Sequence, residues 1–269
     1  MCGIVGIYGE QALREYQKNL LYAWDRLKHR GEDSYGVIIQ KTNGEVVAYK
    51  SLSKEALLSK LAEEEGKEFT VESLKWVLAH NRKASVGGIT LELAHPVYNK
   101  DEKTLVIHNG TKKPLAGAFG TDSDTQALSI IFSIGKVEPK VRLLDGTGVV
   151  FCVRKTSKDR FKLYFHKDEE RPLVLNKELG IFASEPFLEG EWYQVKEIPF
   201  KELKDLSEIV NLIDDKVSES VVIRKCSLCG REFVGSPKET HCKDCSEIYY
   251  DRYGRAYSSY KITDTTKKK

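Results

Sequence analysis

A chain of 269 residues, 41% hydrophobic and 31% charged, has room for one large domain plus a small appendage and the balance of an ordinary globular protein. That composition argues against a disordered chain, and no apolar run approaches the roughly 18 residues of a transmembrane helix, so no membrane association is expected. The net charge of +3 says little by itself, but residues 221–269 hold 11 Lys/Arg against 6 Asp/Glu, which sets the C-terminal end apart as a basic piece.

The first ten residues, MCGIVGIYGE, have neither the basic nor the long apolar region of a secretory signal, so the expected location is cytoplasmic. Residues 2–8 form a short apolar run that reads as a buried strand. Leu13, Tyr16, Leu20, Ala23, Trp24 and Leu27 fall at helical spacing and predict a helix from about Ala12 to Lys28. A polar loop follows at 29–34. Thr42-Asn43-Gly44 between two strand-like runs, 36–40 and 45–50, is a hairpin signal. Residues 54–66 read as a charged helix, and Trp76 to His80 as a strand ending in the loop 81–88. Leu105 to His108 is a further strand, and Asp124 to Ile134 a helix with Ser123 or Asp124 as its N-cap. Strand-like runs recur at 149–154, 161–166, 172–175 and 180–183, with a charged connector over 201–222. Meander-like strands without a helix after each favour an α+β domain over a parallel sheet.

Cys2 directly follows the initiator Met. Alone, a second-position cysteine is more often a small buried residue than a nucleophile. If Met1 is removed, however, Cys2 carries a free α-amino group with a reference pKa of about 7.7–8.0, next to a thiol of about 8.5. Nucleophile and base then share one residue. Gly3 lets the backbone turn tightly beside it.

The segments MCGIVGIYG at 1–9, HRGEDSYG at 29–36, AHNRKASVG at 79–87, AHPVYN at 94–99, HNG at 108–110 and SDTQAL at 123–128 occur in this order, with RPL at 171–173 and ASE at 183–185 beyond them. Together they resemble the class II glutamine amidotransferases over roughly residues 2–200. The resemblance implies an N-terminal-nucleophile hydrolase fold, an αββα sandwich. It implies that Cys2 attacks the side-chain amide of L-glutamine, with its own amino group as base. Asn109 and Gly110 then stand where the oxyanion donors belong, although HNG at a strand end also reads as a plain turn. Arg82 matches the arginine that grips the α-carboxylate, with Ser85 and Val86 in the same loop. Asp124 matches the acid that pairs with the α-ammonium. Arg30 and His95 match supporting positions. Two stretches depart from the pattern. Lys83-Ala84-Ser85-Val86 replaces the usual aromatic residue and Thr-His or Ser-His after the arginine, and Thr111-Lys112-Lys113-Pro114 follows Asn109-Gly110 where an apolar residue and Asn are usual.

Cys226, Cys229, Cys242 and Cys245 form two C-x₂-C pairs separated by twelve residues. Each pair suits two thiolates on one knuckle, and four thiolates complete a tetrahedral structural zinc site, a small zinc ribbon. Residues 223–269 are expected to form this module, whose folding would depend on the metal. Its tail interleaves Tyr249, Tyr250, Tyr253, Tyr257 and Tyr260 with Arg252, Arg255 and Lys261, which suits nucleic acid, a protein partner or packing on the large domain. No P-loop or nucleotide fingerprint follows residue 200. The expected role is an ammonia-supplying subunit for a separate synthase, in nucleic-acid or nucleoside modification. A stand-alone γ-glutamyl amidohydrolase and a non-catalytic binding protein are the alternatives.

Overall fold

The computed structural model describes residues 1–98, 104–133, 144, 146–157 and 160–246. Its strands form two antiparallel sheets. From edge to edge, the larger contains β14 (Glu232–Gly235), β13 (Ile213–Lys225), β11 (Gly190–Val195), β9 (Val174–Asn176), β10 (Ile181–Ala183), β1 (Gly3–Ile7), β4 (Leu74–Arg82), β2 (Ser34–Lys41) and β3 (Val46–Ser51). The smaller contains β12 (Ile198–Leu203), β8 (Arg160–Lys167), β7 (Val149–Ser157), β6 (Thr104–Asn109) and β5 (Val97–Tyr98). Helices α1 (Glu10–Arg14), α2 (Tyr16–Arg26) and α3 (Lys54–Glu64) cover the larger sheet, while α4 (Lys113–Phe119) and α5 (Asp124–Ser133) cover the smaller. The expected αββα sandwich is the observed architecture.

Side-chain alternation explains why the strands read as unbroken apolar runs. Along β1, Val5 and Ile7 join the core beneath α1–α3, while Ile4 enters the core between the sheets. Strand β4 divides its residues in the same way, with Val77 and Ala79 on the helix side and Trp76 and Leu78 on the inter-sheet side. Strand β7 sends Phe151 and Val153 between the sheets and Val150 and Cys152 toward α5. A strand covered on both faces needs apolar residues at every position, and a slip of one residue would exchange its two faces. At the centre of the inter-sheet core, Phe151 stacks on Phe182 at 5.4 Å and tilts against Phe165 at 4.8 Å.

Several local details depart from the sequence reading. The helix expected over 12–28 is divided. Glu15 leaves helical geometry (φ −116°, ψ 27°), and the Asn19 side chain donates 2.9 Å to the Ala12 carbonyl freed there. The chain then closes with a 3₁₀ turn at Lys28–Arg30. Thr111–Pro114 leads into α4, with Pro114 in its first turn, where a missing N–H costs no hydrogen bond. Residues 201–222, read as a connector from their charge, build parts of both sheets. Leu203, Leu206, Ile209, Leu212 and Ile213 are buried between the sheets, so the charges interrupt an apolar pattern without abolishing it. The Tyr-rich basic tail lies outside the described residues. Among the described residues no helix is long and apolar enough to cross a membrane.

Phe151→Ala leaves a cavity where three rings meet, and it is expected to lower unfolding stability by about 3–5 kcal/mol. Urea denaturation should show a lower midpoint with an unchanged slope.

Candidate active site and four-cysteine cluster

Strand β1 is paired on both sides, Gly3 opposite Asn81 of β4 and Val5 opposite Ala183 of β10. This register sets Cys2 at the end of a central strand, beside the end of β4. The Lys83 N–H lies 3.4 Å from Cys2 Sγ, and Sγ lies 3.6 Å from the Lys83 carbonyl. Gly3 is required by close approach, because a Cβ there would sit 2.1 Å from Asn81 Oδ1. Burial pushes the Cys2 thiol up, while the Lys83 N–H and the charges of Arg82 and Arg30 pull the other way. The net direction is upward, so the thiol needs a base to take its proton.

Arg30 is 1% exposed, and its Nε donates 2.9 Å to the Cys2 carbonyl. Its Nη1 pairs with Glu185 Oε1, and His29 Nε2 meets Glu185 Oε2 at 3.0 Å. Burial alone would raise the Glu185 carboxyl, but the His29 hydrogen bond and the Arg30 charge outweigh it and hold it at about 2. Asn81 Nδ2 donates to the carbonyls of Leu27 (3.1 Å) and Gly31 (2.8 Å), tying this 3₁₀ turn to β4.

Next to Cys2 lies a small cleft lined by Arg82, Lys83, Ser85, Val86, His95, His108, Gly110, Ser123, Asp124 and Thr125. Its volume of about 20 Å³ has room for about one water. Arg82 holds the loop after β4 itself, donating to the carbonyls of Val86 (2.9 Å) and Gly88 (2.8 Å). A guanidinium has five N–H donors, which leaves three for a ligand. Asp33 Oδ2 accepts from Ala84 N at 2.7 Å, and Ser85 Oγ meets Thr111 Oγ1 at 3.3 Å. Ser123 caps α5, its Oγ accepting from Gln126 N at 3.1 Å. Asp124 is therefore not the cap, and its 5%-exposed carboxylate accepts from Lys112 N at 2.7 Å and Thr125 N at 2.9 Å at the cleft wall.

Asn109 ends β6, with its Nδ2 3.4 Å from Ser184 Oγ and its Oδ1 buried without a hydrogen-bond partner among the described residues. At Gly110 a Cβ would lie 1.5 Å from the Thr147 carbonyl, so only glycine fits there. Three buried histidines back the cleft. His80 and His95 stack at 4.0 Å, and the His108 N–H donates 3.2 Å to His95 Nδ1. His95 therefore carries its proton on Nε2. Burial lowers all three, with His80 at about 3, and at His108 it outweighs the opposing pull of Asp124. They are neutral dipoles at neutral pH.

Thus Cys2, Arg82, Ser85, Val86, His95, Gly110 and Asp124 border one cleft, with Arg30 and Asn109 joined to its walls. Asp33, Glu185, His108 and Ser184 were not singled out from sequence. They stand inside the quoted segments HRGEDSYG, ASE and HNG, but their partners are distant in the chain and only folding reveals them.

The four cysteine sulfurs of residues 226, 229, 242 and 245 lie within 4.8 Å of one another, and Cys229 Sγ and Cys242 Sγ are 3.7 Å apart. Tetrahedral sulfurs about 2.3 Å from a zinc ion stand about 3.8 Å apart, so the donor set fits one metal ion. Gly230 turns the first knuckle at φ +72°, and Phe233 fills a small core with Cys226 and Cys242.

No protein-family profile matches the chain. It is similar to a glutamine–fructose-6-phosphate aminotransferase (isomerizing) of Bacteroides thetaiotaomicron, 32% identical over 154 residues, covering 54% of this chain and 24% of that protein. A Sulfurisphaera tokodaii protein of the same description is 29% identical over 196 residues, covering 65% of this chain and 31% of that protein. The chain thus spans less than a third of the length of these curated relatives. Among solved structures, glutamine phosphoribosylpyrophosphate amidotransferase from B. subtilis matches with a TM-score of 0.45 and 19% identity, over 81% of this chain and 50% of that one.

Glu185 is ionised well below the value of about 4.3 expected in an unfolded chain. Its stabilising contribution is complete above that value and is lost as pH falls toward 2. The melting temperature of Glu185→Gln should therefore lie below wild type at pH 7 and converge with it near pH 2, as thermal scans across pH would show.

Proposed function

We propose that this chain, which carries a class II glutamine amidotransferase domain of the N-terminal-nucleophile fold, hydrolyses L-glutamine to glutamate and ammonia at Cys2. The supporting observation is that residues from five separate segments, Cys2, Arg82 with Ser85 and Val86, His95, Gly110 and Asp124, border one cleft.

In this reading the Cys2 α-amino group, freed by removal of Met1, takes the thiol proton. Sγ then attacks the amide carbon of glutamine. Oxyanion charge develops toward the Asn109 side-chain amide and the Gly110 N–H, where fixed donors are worth most. The C–N bond breaks, the amino group returns its proton, and ammonia leaves a γ-glutamyl thioester. Water, deprotonated by the same amine, hydrolyses the thioester to glutamate. Arg82 grips the substrate carboxylate with donors not engaged by its loop, and Asp124 faces the α-ammonium. Arg30 fixes the Cys2 carbonyl, and His95 supports the wall behind.

Zinc suits the four-cysteine site, where Cys226, Cys229, Cys242 and Cys245 would hold it; bound there, it would supply folding energy to the module rather than chemistry. The ammonia acceptor in this proposal is a separate synthase chain. The basic tail and the module favour nucleic-acid or nucleoside modification as its setting.

Protein lacking Met1 should release glutamate from glutamine, and Cys2→Ala should release none. Arg82→Lys, which loses the fork, should raise KM at least tenfold. Absence of glutamate from wild type, with or without a partner, would overturn the enzymatic reading. Elemental analysis should find one zinc per chain, and chelation should unfold the module while leaving the sandwich cooperative.

A further inference from the structure

The four-cysteine module sits on the turn that holds the nucleophile. A groove of about 950 Å³ between them is lined by Lys28, His29, Glu185, Arg231 and Asp244. Across it, Lys28 Nζ reaches Asp244 Oδ1 at 3.5 Å, and Arg26 Nη2 donates to the Glu232 carbonyl at 3.2 Å. Asp244 is also held from its own side, since Arg231 contacts both its Oδ2 (3.3 Å) and Cys229 Sγ (3.4 Å). Two residues beyond Lys28, Arg30 donates to the Cys2 carbonyl.

We propose that the cluster is a positioning device for the nucleophile. Asp244, fixed between the ligands Cys242 and Cys245, holds Lys28 and so the turn through which Arg30 orients Cys2. The inference rests on the reading that Cys2 hydrolyses glutamine. Its physical basis is that Asp244 has a defined place only while both flanking sulfurs are bound. Without a cation the four thiolates repel one another or take up protons, the knuckle opens, and Arg231 loses its anionic partner. The link is graded rather than all-or-none. Lys28 and Asp244 are both partly exposed, Asn81 holds the same turn from the other side, and Val234 of β14 packs on the core beneath α2. An exposed ion pair of this kind supports a change of about two- to fivefold, and metal loss, which releases every module contact, a larger one. The effect falls on kcat and spares KM, because Arg82 and Asp124 lie on other segments.

The test compares Met-processed wild type, Asp244→Lys, Lys28→Asp and the exchanged pair, each assayed for metal content, kcat, KM for glutamine and amide exchange. Lys28 lies outside the module, so its variant reports on the link even if Asp244→Lys disturbs the knuckle. Either single change should lower kcat about two- to fivefold at constant KM with full metal content, and the exchanged pair should recover it in part, because Arg231 then faces a lysine. Stripping the metal from wild type should speed exchange at the Arg30 and Gly31 amides, which donate to Leu27 and Lys28, at least fivefold. Unchanged exchange on metal loss, or single variants as active as wild type, would overturn the inference. A wild type that exchanges as expected but releases no glutamate would instead sink the glutaminase reading and leave the mechanical link standing.

Discussion

The cleft depends on the double pairing of β1. A terminal strand hydrogen-bonded on one side frays easily, and a residue at its end has no fixed place. Here β4 and β10 hold β1 from both sides, and its two faces belong to different cores. Residue 2 inherits the rigidity of the centre of a nine-stranded sheet without lying inside it. The same register brings Arg82 beside Cys2. Asn81, one residue earlier, reaches across to the turn that carries Arg30. One strand register therefore places the nucleophile, the arginine of the cleft and the brace on the Cys2 carbonyl.

Electrostatics around the thiol divide between two kinds of neighbour. Arg30 and Glu185 pair with each other, while Arg82 and Asp124 are each held by backbone groups. The histidines His80, His95 and His108 are buried together, and burial keeps all three neutral even though Asp124 lies 3.8 Å from His108 Nδ1. With the wall behind the cleft neutral, the charges acting on Cys2 are the terminal amino group and the guanidinium groups of Arg82 and Arg30.

The sequence carried what depends on local order. Apolar runs marked the central strands, Thr42-Asn43-Gly44 the β2–β3 hairpin, and the paired cysteines their cluster. The segments around Cys2, Arg82, Asn109 and Asp124 pointed to one site because they occur together in order. What escaped has a common cause. The Glu185 pairing with Arg30, the Asp33 contact with Ala84 and the Ser184 contact with Asn109 join residues 51 to 155 positions apart. No spacing rule reports such contacts. The 201–222 stretch was misleading for another reason. Leu203, Leu206, Ile209, Leu212, Ile213 and Val221 are buried in it, so average polarity concealed its apolar positions.

Strand β13 has one more consequence. Its thirteen residues begin beside β11 in the sandwich and end paired with β14, in the four-cysteine module. At about 3.3 Å per residue it reaches roughly 40 Å at full extension. A module joined in this way is not a tethered arm sampling many directions. It behaves as a ruler, so any macromolecule gripped at its far end stands at a set bearing and distance from Cys2 rather than at a local concentration averaged over a flexible linker.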